Sequence, residues 1–421
     1  MEPLNTGKTM IKNQPEIIPK TKSPTIVDIL QQTARNIPDK AAYIFLQDGE
    51  DSEVRLTYAQ LDAKAKGLAA YLQQQLQNSN QSIENQRVLL VYPQGLDFII
   101  AFFATLYSGA TAVLVSPPTS KKMAQRLNGI IEDCNVTGVL APGKVLDGLS
   151  RMGISKTAHV AAHAAGHIAG HIADHIADHT ALAECHWINT DEIESSWQSQ
   201  FVEQAISGDQ LAFLQYTSGS TGSPKGVMIS HDNLLANQRN IGHRMHSCAE
   251  SIVVGWLPMI HDMGLIGNVT GSVYFGATLI FMTPLHFIRK PLRWLKAISK
   301  YRATVSGGPN FAYALCTAKA RAEDIAALDL SCWQVAFNGA EPVHKETVAG
   351  FNAVFAPTGL RPQSHMAVYG LAEATLLVSG TEIDEVINTD DEVRYLNAGK
   401  PSPYDVLKVV DTDAFVAVPE Q

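Results

Sequence analysis

The chain predicts an α/β fold in which mostly parallel sheets are covered by helices, and three observations carry that expectation. From Thr25 to Leu140, short apolar runs of strand length alternate with helix-length amphipathic segments, the order that lays strands side by side in one direction. The membrane-like run Phe98 to Ser116 lacks charge for long enough to suit a membrane span, but Gly109 divides it. FIIAFFATLYSG therefore reads as a buried helix and TAVLVS as the strand that follows it. Third, Leu211 to Asn237 reads as a strand (Leu211–Gln215), a loop of small hydroxyl and glycine residues, a short strand (Val227–Ile229) and a helix capped near Ser230 or His231.

Taken in order, the spacing predicts a helix over Ile26–Asn36, a strand over Ala41–Leu46, a strand ending at Thr57 and a helix over Tyr58–Gln74. A strand over Arg87–Tyr92 precedes the Phe98 helix and its strand. A helix around Met123–Cys134 and a strand near Thr137–Leu140 continue the alternation. Gly370, Leu371 and Ala372 fall on a loop after the strand-like HMAVY, where open α/β sheets place ligands. The implied organisation is a loose polar tail over 1–24, a first α/β unit over 25–200, a second over 201–380 and the beginning of a β-rich third over 381–421.

Composition sets the outer bounds. A chain of 421 residues that is 46% hydrophobic and 17% charged is long enough for two or three units with real cores. The balance of 32 basic against 41 acidic residues gives a net charge of −9, which argues against a nucleic-acid surface. The cysteines (Cys134, Cys185, Cys248, Cys316, Cys332) are scattered without a C-x-x-C, so neither a zinc site nor a disulfide frame is suggested, and a reducing cytoplasm fits. Met1 to Lys22 carries Pro15 and Pro19 and no apolar core of the kind a secretory signal requires.

An insert at about 158–186 repeats histidine every four residues: His159, His163, His167, His171, His175 and His179. Neighbouring imidazoles at i and i+4 share a helix face and could pair on a metal beside Asp174 or Asp178. A sustained step of four drifts around the helix, so all six cannot serve one site, and a tandem expansion in a surface loop is the favoured reading. No metal is assigned here.

The loop Thr217–Gly226 is the densest concentration of anion-binding chemistry. Gly219, Gly222 and Gly226 let backbone N–H groups approach an anion, Thr217, Ser218, Ser220 and Thr221 add hydroxyl donors, and Lys225 adds a mobile positive charge. A Walker loop is excluded because the position five after Gly219 is Pro224, and a hydrolase elbow because the residue two before Ser220 is Ser218. His261 and Asp262 stand in an otherwise apolar stretch where an unpaired charge is costly, so they are expected to face a cleft.

YTSGSTGSPKGV resembles the phosphate loop of the adenylate-forming superfamily, which includes acyl-CoA synthetases, luciferases and the adenylation domains of peptide synthetases. WLPMIHDMGLIG (Trp256–Gly267), SGGPNFAY (Ser306–Tyr313), FNGAEPV (Phe337–Val343) and MAVYGLAEATLLVSG (Met366–Gly380) are similar to signatures of the fatty acyl-AMP ligases, and the likeness runs from about Ser23 to the end apart from the histidine insert. The resemblance implies the N-terminal domain of an adenylate-forming enzyme, two mostly parallel sheets flanked by helices plus the start of a small β subdomain. It implies activation of a fatty acid by ATP and Mg²⁺ and transfer of the acyl group to the phosphopantetheine arm of an acyl carrier protein.

By the same resemblance, Thr217, Ser218, Gly219, Ser220, Thr221, Gly222 and Lys225 hold phosphates, and Glu373, assisted by Thr217, takes the metal. Tyr369 and Gly370 on one side and the Asn338-Gly339-Ala340 backbone on the other sandwich adenine. His261 and Asp262 border an acyl tunnel lined by Met263, Gly264, Leu265 and Ile266, and His261 joins Lys225 and Glu373 as a catalytic candidate. Two departures stand out. The family's ribose motif, hinge and lysine-donating C-terminal domain are expected beyond Gln421, and the loop by which acyl-AMP ligases hinder the CoA reaction is represented only by a short acidic stretch between Gly380 and Leu396. A fatty acyl-CoA synthetase is the alternative within the superfamily. A non-catalytic acyl-nucleotide or metal-binding protein is the alternative outside it.

Overall fold

The computed structural model describes residues 24–77, 82–152, 154, 185–217, 225–382, 394–405 and 407. The tail, most of the histidine insert and the acidic stretch after Glu382 lie outside the described residues. The N-terminal half runs α1 (Ile26–Asn36), β1 (Ala41–Leu46), β2 (Glu53–Thr57), α2 (Tyr58–Leu76), β3 (Arg87–Val91), α3 (Leu96–Ser108), β4 (Thr111–Val115), α4 (Lys121–Cys134), β5 (Gly138–Ala141), α5 (Gly143–Arg151) and β6 (His186–Asn189). After it come β7 (Leu211–Thr217), β8 (Lys225–Ser230), α6 (His231–Met245), β9 (Ile252–Gly255), a π-helix (Met263–Thr270) continuing into α7 (Gly271–Phe275), and β10 (Thr278–Phe281). The chain continues through α8 (Pro284–Arg289), α9 (Leu292–Tyr301), β11 (Val305–Gly308), α10 (Asn310–Lys319), α11 (Ala322–Ala326), β12 (Val335–Asn338), α12 (Lys345–Phe355), β13 (His365–Gly370), β14 (Leu377–Gly380) and β15 (Lys400–Pro401).

Local chemistry explains where these elements start and stop. Thr25, Thr57 and Ser230 each close a capping box on the helix that follows, with side chain and N3 residue exchanging bonds to otherwise unpaired N–H groups. Gly109, at φ 88°, ends α3 in the left-handed conformation, which splits the long apolar run into helix and strand as its sequence predicts. Among the described residues no helix is long and apolar enough to cross a membrane.

The strands form two mostly parallel sheets, one of six strands in the order β6-β5-β3-β4-β7-β8 and one of nine in the order β15-β14-β13-β12-β11-β9-β10-β1-β2. Antiparallel pairing is confined to β1-β2, β7-β8, β13-β14 and β14-β15. The sheets do not divide near residue 200: β1 and β2 sit at the edge of the nine-stranded sheet, with Tyr43 beside Leu279, whereas β7 and β8 complete the six-stranded one. A hydrophobic period identifies a strand but not its neighbour, which tertiary packing chooses. His186, placed with the insert by sequence, belongs to β6.

Alternation along β3 shows how the six-stranded sheet is buried on both faces. Val88 and Leu90 join the large cluster that contains Phe102 and Phe103 of α3, while Leu89 and Val91 meet Leu127, Ile130 and Ile131 of α4. The parallel strands β9 to β13 all point their carboxyl ends toward one edge of the nine-stranded sheet, and the motif residues collect there.

Candidate active site

The stretch expected to hold phosphates joins two strands that pair as a hairpin. β7 and β8 pair antiparallel with Thr217 opposite Lys225, so the second strand starts two residues earlier than the apolar run suggests. Ser218, Gly219, Ser220, Thr221 and Gly222 lie outside the described residues. At the base of the tip, a side chain on Gly226 would come within 3.0 Å of the Tyr216 ring, and the Tyr216 hydroxyl donates to Asp133 of α4. Lys225 is exposed beside the loop. Replacing Lys225 with alanine should lower ATP-dependent turnover at least about tenfold, because it removes a cation from a multiply charged anion; an unchanged ATP dependence in steady-state kinetics would make the loop a linker.

Ala340, Tyr369 and Gly370 converge on the rim of one open cavity. Tyr369 is 52% exposed, so its ring face is available to a flat ligand. Ala340 adopts φ 69°, which turns the chain sharply after β12. Asn338 and Gly339 do not line the cavity. Asn338 is buried with its amide nitrogen 3.4 Å from Asn310 Oδ1, and a side chain on Gly339 would come within 2.6 Å of Val368. Close packing of β12 on β13 thus leaves Ala340 alone to reach the slot. The Asn338 Oδ1 is buried without a hydrogen-bond partner among the described residues, an acceptor left over beneath it.

Glu373 rides on a tight turn between β13 and β14. β13 itself extends through Gly370, so only Leu371 and Ala372 of the expected loop lie beyond it. A side chain on Gly370 would come within 1.9 Å of the Leu376 carbonyl oxygen, which receives the Leu371 N–H at 3.0 Å. Thr375 is held at φ 71°, ψ −62°, a strained conformation for a β-branched residue costing about 1–3 kcal/mol. What holds the turn is Asn237 of α6: its amide nitrogen lies 3.3 Å from the Ala374 carbonyl and 3.0 Å from that of Leu377, and its Oδ1 accepts the Leu377 N–H at 3.0 Å. The sequence reading missed Asn237. Its signal was a polar residue among Leu234, Leu235 and Ile241 on the inward face of a helix.

His261, Asp262 and Glu373 share one electrostatic field. Burial raises the Asp262 pKa, the Met263 N–H bond and His261 oppose the rise, and the nearby Glu373 carboxylate adds to it. Packing around His261 lowers its pKa, Asp262 opposes that, and Arg126 of α4 reinforces it. The π-helix after this pair turns its residues differently from the sequence expectation. Asp262 and Met263 line the cavity, but Leu265 and Ile266 are fully buried in the core. Gly264 packs so closely that a side chain would sit 2.1 Å from the Pro258 carbonyl oxygen. Wider winding of a π-helix shifts the facing positions by one residue per turn, which brings Gly267 and Gly271 to the cavity wall.

Below the rim the wall is apolar: Ile241 and Met245 from α6, Val253, Val305 and Phe337 from the sheet, and Phe275 and Ala277 at the amino ends of the strands. The cavity therefore runs from the carboxyl edge of the nine-stranded sheet to its amino edge, a mostly apolar space with the Asp262 carboxylate and the Tyr369 ring in its wall and Glu373 close enough to act on Asp262.

Residues 30–421 match the family of AMP-binding enzymes, and the chain belongs to it. It is 38% identical over 363 residues to the medium-chain-fatty-acid–[acyl-carrier-protein] ligase JamA of Moorena producens (strain JHB), covering 86% of this chain and 57% of that protein. It is 36% identical over 372 residues to the ligase TtuA of Teredinibacter turnerae, of the same description, covering 85% of this chain and 57% of that protein. The solved fatty acyl-adenylate ligase from L. pneumophila, in complex with acyl adenylate and pyrophosphate, superposes with a TM-score of 0.78 at 35% identity over 94% of this chain and 66% of that one. The chain thus spans somewhat under two thirds of the length of these relatives.

Proposed function

We propose that the protein activates a medium-chain fatty acid with ATP to an acyl-adenylate, which is then passed to the phosphopantetheine thiol of an acyl carrier protein. The observation that carries this reading is the continuity of the apolar cavity with Ala340, Tyr369 and the Asp262 carboxylate, beside which Glu373 stands near enough to raise the Asp262 pKa. A fatty acid lying along the cavity presents its carboxylate at the rim, beside the place where a nucleotide stacked on Tyr369 carries its α-phosphate. One carboxylate oxygen attacks the α-phosphorus, the bond to the bridging oxygen breaks, and pyrophosphate leaves.

The medium length follows from the height of the sheet. β9 and β10 each span four residues, so the two edges lie about 13 Å apart at ~3.3 Å per residue. An extended acid of roughly ten carbons, at ~1.3 Å per methylene from ~1.5 Å bonds, fills that distance. JamA and TtuA are both described as medium-chain ligases, which supports the same range.

The donors present fit Mg²⁺. Glu373 is an exposed hard oxygen ligand near Asp262, and the remaining positions of such an ion are normally filled by phosphate oxygens and water. A Mg²⁺ held by Glu373 would supply neutralisation of the charge on the departing pyrophosphate. This chain's own part is to fix the Glu373 turn through Asn237, offer Tyr369 to the base, and exclude water from the acyl tail. Expressed together with the lysine-donating domain that the resemblance implies, and incubated with ATP, Mg²⁺ and decanoic acid, the protein should form decanoyl-AMP, identified by mass. Addition of CoA and, separately, of phosphopantetheinylated carrier protein then decides the acceptor: decanoyl-carrier protein is expected, and decanoyl-CoA as the main product would assign a CoA synthetase. Absence of any adenylate would sink the reading.

A further inference from the structure

At the far end of the cavity, opposite Tyr369, the lining is supplied by two short segments. Ser247 and Ser251 belong to the turn between α6 and β9, and Phe275 and Ala277 flank Gly276 at the end of α7. Both segments are tied from outside by a single side chain: the half-buried Lys40 ammonium donates to the carbonyl of Ala249 and, at 2.7 Å, to that of Gly276. Lys40 is itself fixed, its N–H 3.2 Å from the Ile37 carbonyl and its own carbonyl receiving the Tyr58 N–H at 3.0 Å. Two neighbouring tyrosines brace the same wall. The Tyr43 hydroxyl lies 2.8 Å from the Val269 carbonyl, and that of Tyr58 lies 2.8 and 2.6 Å from the carbonyls of Ser272 and Ala277.

We infer that Lys40 latches the floor of the acyl cavity and so sets the longest acid the site accepts; this rests on the acyl reading of the cavity proposed above. The physical reason is that two carbonyl oxygens converge on one cation. Without it they repel each other and seek separate solvation, and the turn at Ala249 moves away from Gly276. Gly276 lies among Ile37, Thr33 and Ala249, which an added side chain would meet at 3.6–3.9 Å, ordinary contact distances. The exposed turn bearing Ala249 is the part that yields, and the floor opens between Ser251 and Ala277. Lys40 touches neither nucleotide nor acid. It is a positioning residue that acts on chain length alone.

The test is a length profile of tight-binding acyl sulfamoyl adenosines, from octanoyl to octadecanoyl, titrated calorimetrically into the protein. Lys40→Met and Lys40→Gln, neither of which can bridge the two carbonyls with a cation, should move the preferred length upward, by about fourfold in relative affinity for each methylene newly buried. Lys40→Arg, which keeps charge and several donors, should keep the wild-type profile. A merely structural role would instead weaken all lengths alike, and that result, or an unmoved profile in both Met and Gln variants, overturns the latch. Gly267→Leu separates this failure from that of the acyl reading. If it abolishes binding while Lys40→Met and Lys40→Gln leave the profile unmoved, the cavity holds the acid and the latch is wrong. If the wild-type protein binds all lengths equally, the cavity is not the acyl site and both fall.

Discussion

Gly264→Ala should lower the stability of the protein by about 3 kcal/mol or more, whereas Gly267→Leu should leave it folded and unable to hold a medium-chain acid. The two glycines stand three residues apart in the same π-helix, less than one turn, and so meet different neighbours. At Gly264 the added carbon would meet backbone, 2.1 Å from the Pro258 oxygen and 2.6 Å from its carbonyl carbon, and backbone cannot swing aside as a side-chain tip can. At Gly267 the nearest atom is a Leu376 methyl at 3.5 Å, an ordinary contact, and the branch of a leucine would extend into the cavity between Met263 and Leu376. It would occupy the space of several methylenes, each worth ~0.8 kcal/mol, so acid affinity should fall at least about a hundredfold. Thermal unfolding and calorimetric titration check the pair. An undiminished melting temperature for Gly264→Ala would mean that the close approach to Pro258 is relieved by movement, and an undiminished affinity for Gly267→Leu would place the acid elsewhere.

That contrast also shows where sequence reading stops. The HDMG stretch announces a site because His261 and Asp262 interrupt an apolar run; Asp262 lines the cavity, and His261 acts on it from outside that lining. The side on which the following residues fall depends on the winding of the helix, and a π-helix has no distinct hydrophobic period over eight residues. Leu265 and Ile266, counted as tunnel lining, therefore pack into the core, and Gly267, uncounted, forms the wall. In the slot the same limit applies to Asn338 and Gly339. The FNGAEPV motif marks the turn after a strand, but only the packing of β12 on Val368 decides that Ala340 faces the cavity.

The fold was legible wherever a local rule sufficed. Gly109 divides helix from strand, and Thr25, Thr57 and Ser230 cap their helices as their side chains dictate. What no local rule supplies is a partner at long range: β1 pairs with β10 across more than two hundred residues, and Lys40 bonds Gly276 across a separation of 236. Asn237 belongs to the same class. Its three bonds to the turn around Glu373 join residues 137 and 140 positions apart, and on the sequence it is only an asparagine in a helix.

Glu373→Gln should slow acyl-adenylate formation about a hundredfold or more, with raised Mg²⁺ recovering only part of the loss. The substitution keeps the shape of the side chain and every backbone bond of the turn, so Asn237 continues to hold Ala374 and Leu377. What changes is charge. A neutral amide is a poorer ligand for a hard cation, and the metal must then be held by phosphate oxygens with less help from the protein. The same change removes a carboxylate that raises the Asp262 pKa, so Asp262 should titrate lower in the variant. Rate against Mg²⁺ concentration, together with the Asp262 titration followed by NMR, reads the two effects separately. A wild-type metal dependence with a shifted Asp262 would remove Glu373 from the metal while keeping it in the site, and wild-type behaviour in both would remove it altogether.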